Sequence, residues 1–368
     1  MFPRSSSARV GRTMQDYRRL GLDPDRIAQW EDGARTDGAP GTYEWWYFDA
    51  HLADGAKLVV AFYTKLITNI RRPLSPMIRI DLDLPDGTSL IRKADYAAAD
   101  YESSTERCDV RISDNVFAGD LHSYRVQARI DDVTVDVELT ADVPAWRPWT
   151  GHLLFGDRGQ HCFAWLPAIP QGTVHATYAV AGDTHRTTGV GYHDHNWGNH
   201  DMSRLMHNWY WARGQAGGFS VIASYITTTR RYGFEGLPVF LLAKDGEIVA
   251  DDADKVTFAT EDVRIDAHTG KPYANVSRYT YRDGDERYVV TFTRDRDLAH
   301  IHLIDGVTGP TRIAARLIRF DGAYLRFAGE LSIEHHKDDH LVEHQRASAI
   351  WERMYFGRTI DEVRTDAP

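Results

Sequence analysis

Between Gly191 and Gly198 the chain reads Gly-Tyr-His-Asp-His-Asn-Trp-Gly, a run that packs a carboxylate, two imidazoles, a phenol, an amide and an indole between two glycines. Alternation along an extended strand puts Tyr192, Asp194 and Asn196 on one face and His193 and His195 on the other. A carboxylate flanked on its own face by a phenol and an amide has neighbours that hold or position a proton. Buried among aromatic rings, such a carboxylate is pushed up in pKa and stays a usable acid near neutrality. The competing reading is structural: Asp194 satisfies loop N–H groups and pins its strand to the neighbours.

Other groups invite the same weighing. Glu44 shares a strand face with Trp46 and Phe48, and reads as a second acid, a polar anchor for substrate, or the partner of an arginine where two halves of the chain meet. Trp209 and Trp211 are expected on the matching face of the second half, where aromatic faces stabilise a developing cation. His193 and His195 could point one way, with His200 completing three metal ligands. Alternating histidines on a strand are common without metal, however, and no Cys or Glu completes a recognisable spacing, so no metal is expected. The chain has no Gly-x-Gly-x-x-Gly, no phosphate loop and no Gly-x-Ser-x-Gly elbow, and no cofactor is expected.

Bulk properties set the frame for this chemistry. With 368 residues the chain is long enough for two domains, each with its own core. A formal net charge of −10 argues against nucleic-acid binding. Aromatic residues make up 11% of the chain, which suits a cavity for a hydrophobic small molecule as well as core packing. Cys108 and Cys162 are the only cysteines, which excludes a disulfide scaffold and points to a reducing, cytoplasmic setting. The first 18 residues lack the apolar core of a secretory signal, and no apolar run would span a bilayer. Transient contact with a membrane surface to collect a greasy substrate stays open.

The elements that must position these groups are strands. Lys57 to Tyr63, Val133 to Leu139, Phe219 to Ile226 and Tyr288 to Thr293 are rich in β-branched and aromatic residues. Asp-Gly pairs recur at Asp54-Gly55, Asp86-Gly87, Asp245-Gly246, Asp283-Gly284, Asp305-Gly306 and Asp321-Gly322, as expected for antiparallel meanders. Helix is scarce, with short segments expected at Met14 to Leu20 and Pro24 to Trp30. Setting Trp46-Tyr47-Phe48 against Trp209-Tyr210-Trp211 aligns Ala53 with Ala216, Gly55 with Gly218 and Phe62 with Tyr225 without a gap. Such self-similarity predicts an internal duplication. The expected plan is all-β: an N-terminal extension over 1–40, then barrel domains over 41–205 and 206–368.

Three motifs carry a resemblance. Tyr43-Glu44-Trp45-Trp46-Tyr47-Phe48-Asp49, Tyr192-His193-Asp194-His195-Asn196-Trp197-Gly198 and Trp351-Glu352-Arg353-Met354-Tyr355-Phe356-Gly357 resemble the carotenoid 1,2-hydratase (hydroxyneurosporene synthase) superfamily. That group includes fungal lipocalin-like cyclases that promote Diels–Alder reactions. The resemblance spans roughly residues 40–357 and implies two lipocalin-like (calycin) antiparallel β-barrels. It also implies cofactor-independent protonation of an isoprenoid or polyene alkene, giving hydration or cyclisation. Asp194 would be the acid, Tyr192 its support, and Trp165 the counterpart of an upstream family tryptophan. Glu44, Trp46, Trp165, His193, Asn196, Trp197, Trp209 and Trp211 would then contact substrate. The His-rich octapeptide, His200 and Trp197 depart from the carotenoid enzymes. Two alternatives remain open: a pericyclase that shapes a polyene by enclosure, and a non-catalytic lipid or pigment carrier.

Overall fold

The structure is a computed structural model that describes residues 7–303 and 321–357. It divides into two compact units, Arg9–Asp201 and the chain from Met202 onward. Each unit is one curled antiparallel sheet.

In the first unit the sheet runs Ser89–Asp95, Met77–Asp83, Lys57–Tyr63, Tyr43–Leu52, Asp183–Gly198, His161–Val180, Val133–Ala141, Ser123–Ile130, Asn115–Gly119, Asp109–Ile112, Tyr101–Ser103. The long strand that carries the octapeptide thus pairs with Tyr43–Leu52 on one side and His161–Val180 on the other. The curl brings Met77–Asp83 and Ser89–Asp95 against Ser123–Ile130. It encloses a core that includes Trp46, Phe48, Phe62, Ile80, Val126 and Val137. Alternation is visible in the burial: every second residue of Ser123–Ile130 and Val133–Ala141 faces inward.

The second unit repeats the order. Glu247–Ala250, Gly236–Lys244, Phe219–Thr228 and Met206–Ala216 lead to His340–Tyr355, then Ala323–Lys337, Glu286–His302, Pro272–Asp283 and Val256–Ile265. In both units the first long strand lies beside the last, so a meander closes onto its own beginning.

The gapless alignment of the two halves is corrected by one residue. In the first hairpin Leu52 N donates to the Ala56 carbonyl across Ala53-Asp54-Gly55, whereas Ala216 pairs directly with Phe219 around Gly217-Gly218. Beyond the turn the match holds, with Leu58 and Val60 buried like Val221 and Ala223. Before the turn the one-residue difference exchanges the faces. Tyr210 and Ala212 take the core face, and Trp209 and Trp211 are turned away from it.

Two N-terminal helices were expected, and one forms. Met14–Leu20 is α-helical, capped by Thr13 and terminated by Gly21 in the left-handed region. Over Pro24 to Trp30 the chain stays irregular and ends in a 3-10 turn at Gln29–Asp32. The Arg147 guanidinium accounts for this by taking the carbonyls of Asp23 and Arg26, which helical N–H groups would otherwise use. The Asp54-Gly55, Asp86-Gly87, Asp245-Gly246 and Asp283-Gly284 turns all place glycine at positive φ. Asp305-Gly306 lies outside the described residues, and Asp321-Gly322 leads directly into a strand.

Candidate active site

Two glycines frame the octapeptide because its backbone is approached closely on both sides. A Cβ on Gly191 would come within 2.5 Å of Val174 Cγ2, and one on Gly198 would strike the Tyr43 phenol. Between them the strand is extended, and its two faces form two separate polar clusters.

Asp194 belongs to the face turned away from the barrel core. It lies opposite Tyr47 on one side and Pro167 on the other. Although only 7% exposed, its carboxylate accepts three hydrogen bonds: from Trp165 Nε1 (2.7 Å), Tyr192 Oη (2.8 Å) and Asn196 Nδ2 (2.8 Å). No lysine or arginine among the described residues pairs with it. Burial raises its pKa to about 6, although the three donors and the nearby His193 pull the other way. The proton therefore comes off close to neutrality, from a group held in one orientation.

This face is aromatic. Trp45 stands beside Tyr43, Tyr63 and Phe163, with ring centroids 5.7, 6.4 and 6.2 Å apart, and Tyr47 meets Tyr192 edge-on. Trp165 contacts Trp146 at 6.4 Å. Trp165 also lines a pocket of about 140 Å3 with Trp30, Arg147, His152 and Trp197. The sequence grouping missed Trp45 and Tyr47, which share Asp194's face. They could be found only from the register that sets Asp194 against Tyr47.

The other face looks into the barrel. His193 and His195 do point the same way, but His200 does not join them and stacks on His161 instead. His193 Nε2 lies 3.2 Å from Asp32 Oδ2, while its Nδ1 meets the Tyr47 carbonyl, which obliges Nδ1 to donate. His195 Nε2 is 2.8 Å from Glu44 Oε1, and its Nδ1 is 3.4 Å from Asp32 Oδ1. The Tyr124 hydroxyl donates to Asp32 as well. Burial opposes charge on His195, yet Asp32 and Glu44 together raise its pKa. Burial likewise opposes charge on Asp32, but His193 and His195 hold its carboxyl well below the usual range. The result is a compensated network of imidazoles and carboxylates in the core. Cys108 approaches Asp32 and His193, though burial pushes its thiol pKa up, away from the thiolate a metal requires.

The structure divides the expected substrate contacts between the two faces and the two units. Glu44, besides His195, accepts from the Arg35 and Thr36 amides and the Thr36 hydroxyl, so its oxygens are committed to the protein. Trp46 is fully buried, stacked on His195 at 4.6 Å, and donates to the Asp32 carbonyl. His193 and Trp197 share this inward face, and Trp197 packs against His195 and the core. Trp209 and Trp211 belong to the second unit; Trp209 donates to Glu352 and packs on Phe356. Asp194, Tyr192, Asn196 and Trp165 are the predicted residues that come together. Asp32, the hub of the inward cluster, carried no signal in its local sequence.

A family model described as Diels-Alderase-like matches residues 156–302, a span that contains Trp165 and the octapeptide. The quinolone epoxide rearrangement protein AsqO of Emericella nidulans is 24% identical over 193 residues, covering 49% of this chain and 53% of the relative. The match thus spans about half the length of that relative. Among solved structures, CghA with Sch210972 superposes with a TM-score of 0.57 at 15% identity, covering 86% of this chain and 89% of that one. Kievitone hydratase from Nectria haematococca gives 0.54 at 12% identity, covering 96% and 98%. Both share the two-unit, curled-sheet fold. These likenesses show a shared fold with the two solved structures and a Diels-Alderase-like segment that contains the Asp194 strand.

Proposed function

We propose that the protein is a cofactor-independent enzyme of the lyase or isomerase type. In this reading it acts on a hydrophobic polyene or isoprenoid by general-acid protonation of an alkene. The observation that carries the reading is Asp194: buried, paired with no lysine or arginine among the described residues, held by three donors, and with its pKa raised to about 6. Asp194 gives its proton to one alkene carbon, leaving a carbocation and an aspartate. The aromatic rings of the same face stabilise the cation without trapping it. Water adds to the cation and returns a proton to Asp194, completing a hydration. Alternatively, a second double bond attacks, a new ring bond forms, and the proton is lost to Asp194. Tyr192, Asn196 and Trp165 position the carboxyl throughout.

The relatives support a small-molecule substrate: one is named for an epoxide rearrangement, and one for a hydration. Free Cys108 and Cys162 fit a reducing, cytoplasmic setting. The decisive experiment is Asp194→Asn assayed against a polyene that the wild type converts. A loss greater than about a hundredfold fits acid catalysis. An unchanged rate favours a pericyclase, the reading that the Diels-Alderase-like match over 156–302 supports. Recovery of an unaltered ligand, with no product from any polyene, would leave a carrier.

A further inference from the structure

The second unit holds a buried charge that no carboxylate among the described residues balances. Arg353 lies on the core face of His340–Tyr355, in the alternating series Trp351, Arg353, Tyr355. It is 9% exposed, with its guanidinium 4.0 Å from the Tyr210 ring and 4.8 Å from the Tyr355 ring. Its Nε is buried without a hydrogen-bond partner, and no carboxylate among the described residues pairs with it. Other buried cations have acceptors: Arg147 has Glu31, Lys271 has Asp321, His195 has Asp32 and Glu44, and Lys65 has the carbonyls of Gly38, Ala39 and Arg72. An arginine cannot escape burial by losing its proton, so Arg353 stays charged.

Further donors on the same interior are also unmet. Tyr210, directly opposite Arg353 in the sheet, has an unpartnered hydroxyl, and so has the Trp351 indole Nε1. Ser277 Oγ and Tyr279 Oη, on the core face of Pro272–Asp283, are likewise unpartnered. Phe258 links Tyr210 to Tyr279, with centroids 5.4 and 4.7 Å away. Folded proteins leave few buried polar groups unsatisfied, so such a cluster calls for an outside partner. The hydroxyls can donate or accept, but the guanidinium and the indole N–H can only donate. The missing partner is an acceptor, and opposite a planar guanidinium fork the matching acceptor is a carboxylate. The surrounding Phe258, Phe292 and Phe327 suit an apolar body behind that carboxylate.

We propose that the barrel interior of the second unit binds a hydrophobic monocarboxylate, with its carboxylate on Arg353 between Tyr210 and Tyr355. This site belongs to the other unit than Asp194, and the proposal does not depend on the catalytic reading. The test is fluorescence titration of the full chain with cis-parinaric acid and with its methyl ester. The acid should bind at least about tenfold more tightly than the ester, as a charge-assisted hydrogen-bond pair implies. Arg353→Met should abolish that preference while leaving ester binding in place, and Asp194→Asn should preserve it. Equal affinity for acid and ester, or no binding of either, overturns the proposal; a water-filled interior would behave in this way. Should Arg353→Met fail to fold, carbon-13 NMR of carboxyl-labelled acid bound to the wild type decides instead. A carboxyl that stays ionised below its free pKa supports the site, and one that titrates at or above it refutes it.

Discussion

Trp165 donates its indole N–H to Asp194 over 2.7 Å from the neighbouring strand, one step diagonally across the sheet from the carboxyl it holds. The contact opposes the effect of burial, because a donor favours the charged carboxylate. Trp165→Phe removes that donor and should raise the Asp194 pKa above about 6. A hydrogen bond to a charged group is worth ~1.5–3 kcal/mol, or about one to two pH units. Carbon-13 NMR titration of labelled aspartate reads this directly, without a substrate. A pKa that stays put or falls would show that Trp165 does not hold the acid.

If Asp194 is the proton donor, the rate depends on its neutral form. Activity should be flat below pH 6 and fall about tenfold per unit above it. In the Trp165→Phe variant the alkaline limb should move to higher pH. A pH-independent rate in both proteins would instead point to catalysis by enclosure.

Much of this site was legible in the sequence, for one reason. Period-2 alternation is local, so the split of Tyr192, Asp194 and Asn196 from His193 and His195 follows from the strand alone. Which residues of other strands join each face depends on register, which is not local. Glu44 and Trp46 were therefore grouped with Asp194, although the pairing of Asp194 with Tyr47 and of His195 with Trp46 puts them inside the barrel. The same lesson governs Trp209 and Trp211, where a turn shorter by one residue exchanged the faces. Asp32 was invisible because it arrives from an irregular segment through tertiary packing.

The inward network should be a determinant of stability. Glu44→Gln leaves His195 without one of its two carboxylates and should cost ~3–5 kcal/mol, the penalty for breaking a buried ion pair. The urea midpoint should fall with an unchanged slope. The pH dependence has two limits. The contribution of Asp32, whose pKa is lowered, is present above its unfolded value near 3.8 and is lost as pH falls. That of His195, whose pKa is raised, is complete below 6.5 and is lost as pH rises through its folded value.

Arg147 ties the irregular N-terminal segment to the first barrel. Its Nε donates to Glu31 over 2.7 Å, with both side chains almost fully buried. Arg147→Met should strand the Glu31 carboxylate and free the carbonyls of Asp23 and Arg26. Limited proteolysis should then cut between Leu22 and Trp30 well before the barrel unfolds, with a stability loss of ~3–5 kcal/mol. Cleavage elsewhere first would show that this segment is held by other contacts.

Asp194 should also make the fold less stable as pH rises, the reverse of the usual behaviour of a carboxylate. Its folded pKa of about 6 lies above the unfolded value of 3.8, so the folded chain binds the proton more tightly. Between those two values the folded state carries more protons than the unfolded state, and stability declines with pH. The shift of roughly two units corresponds to about 3 kcal/mol, which the protein forgoes at neutral pH to keep an acid in place. Asp194→Asn removes the titration, so the variant should gain stability relative to wild type as pH rises from 4 to 7. Melting temperatures of the two proteins across that range measure the difference. Parallel curves would mean that Asp194 ionises as freely in the folded chain as in the unfolded one, and the acid role would lose its physical basis.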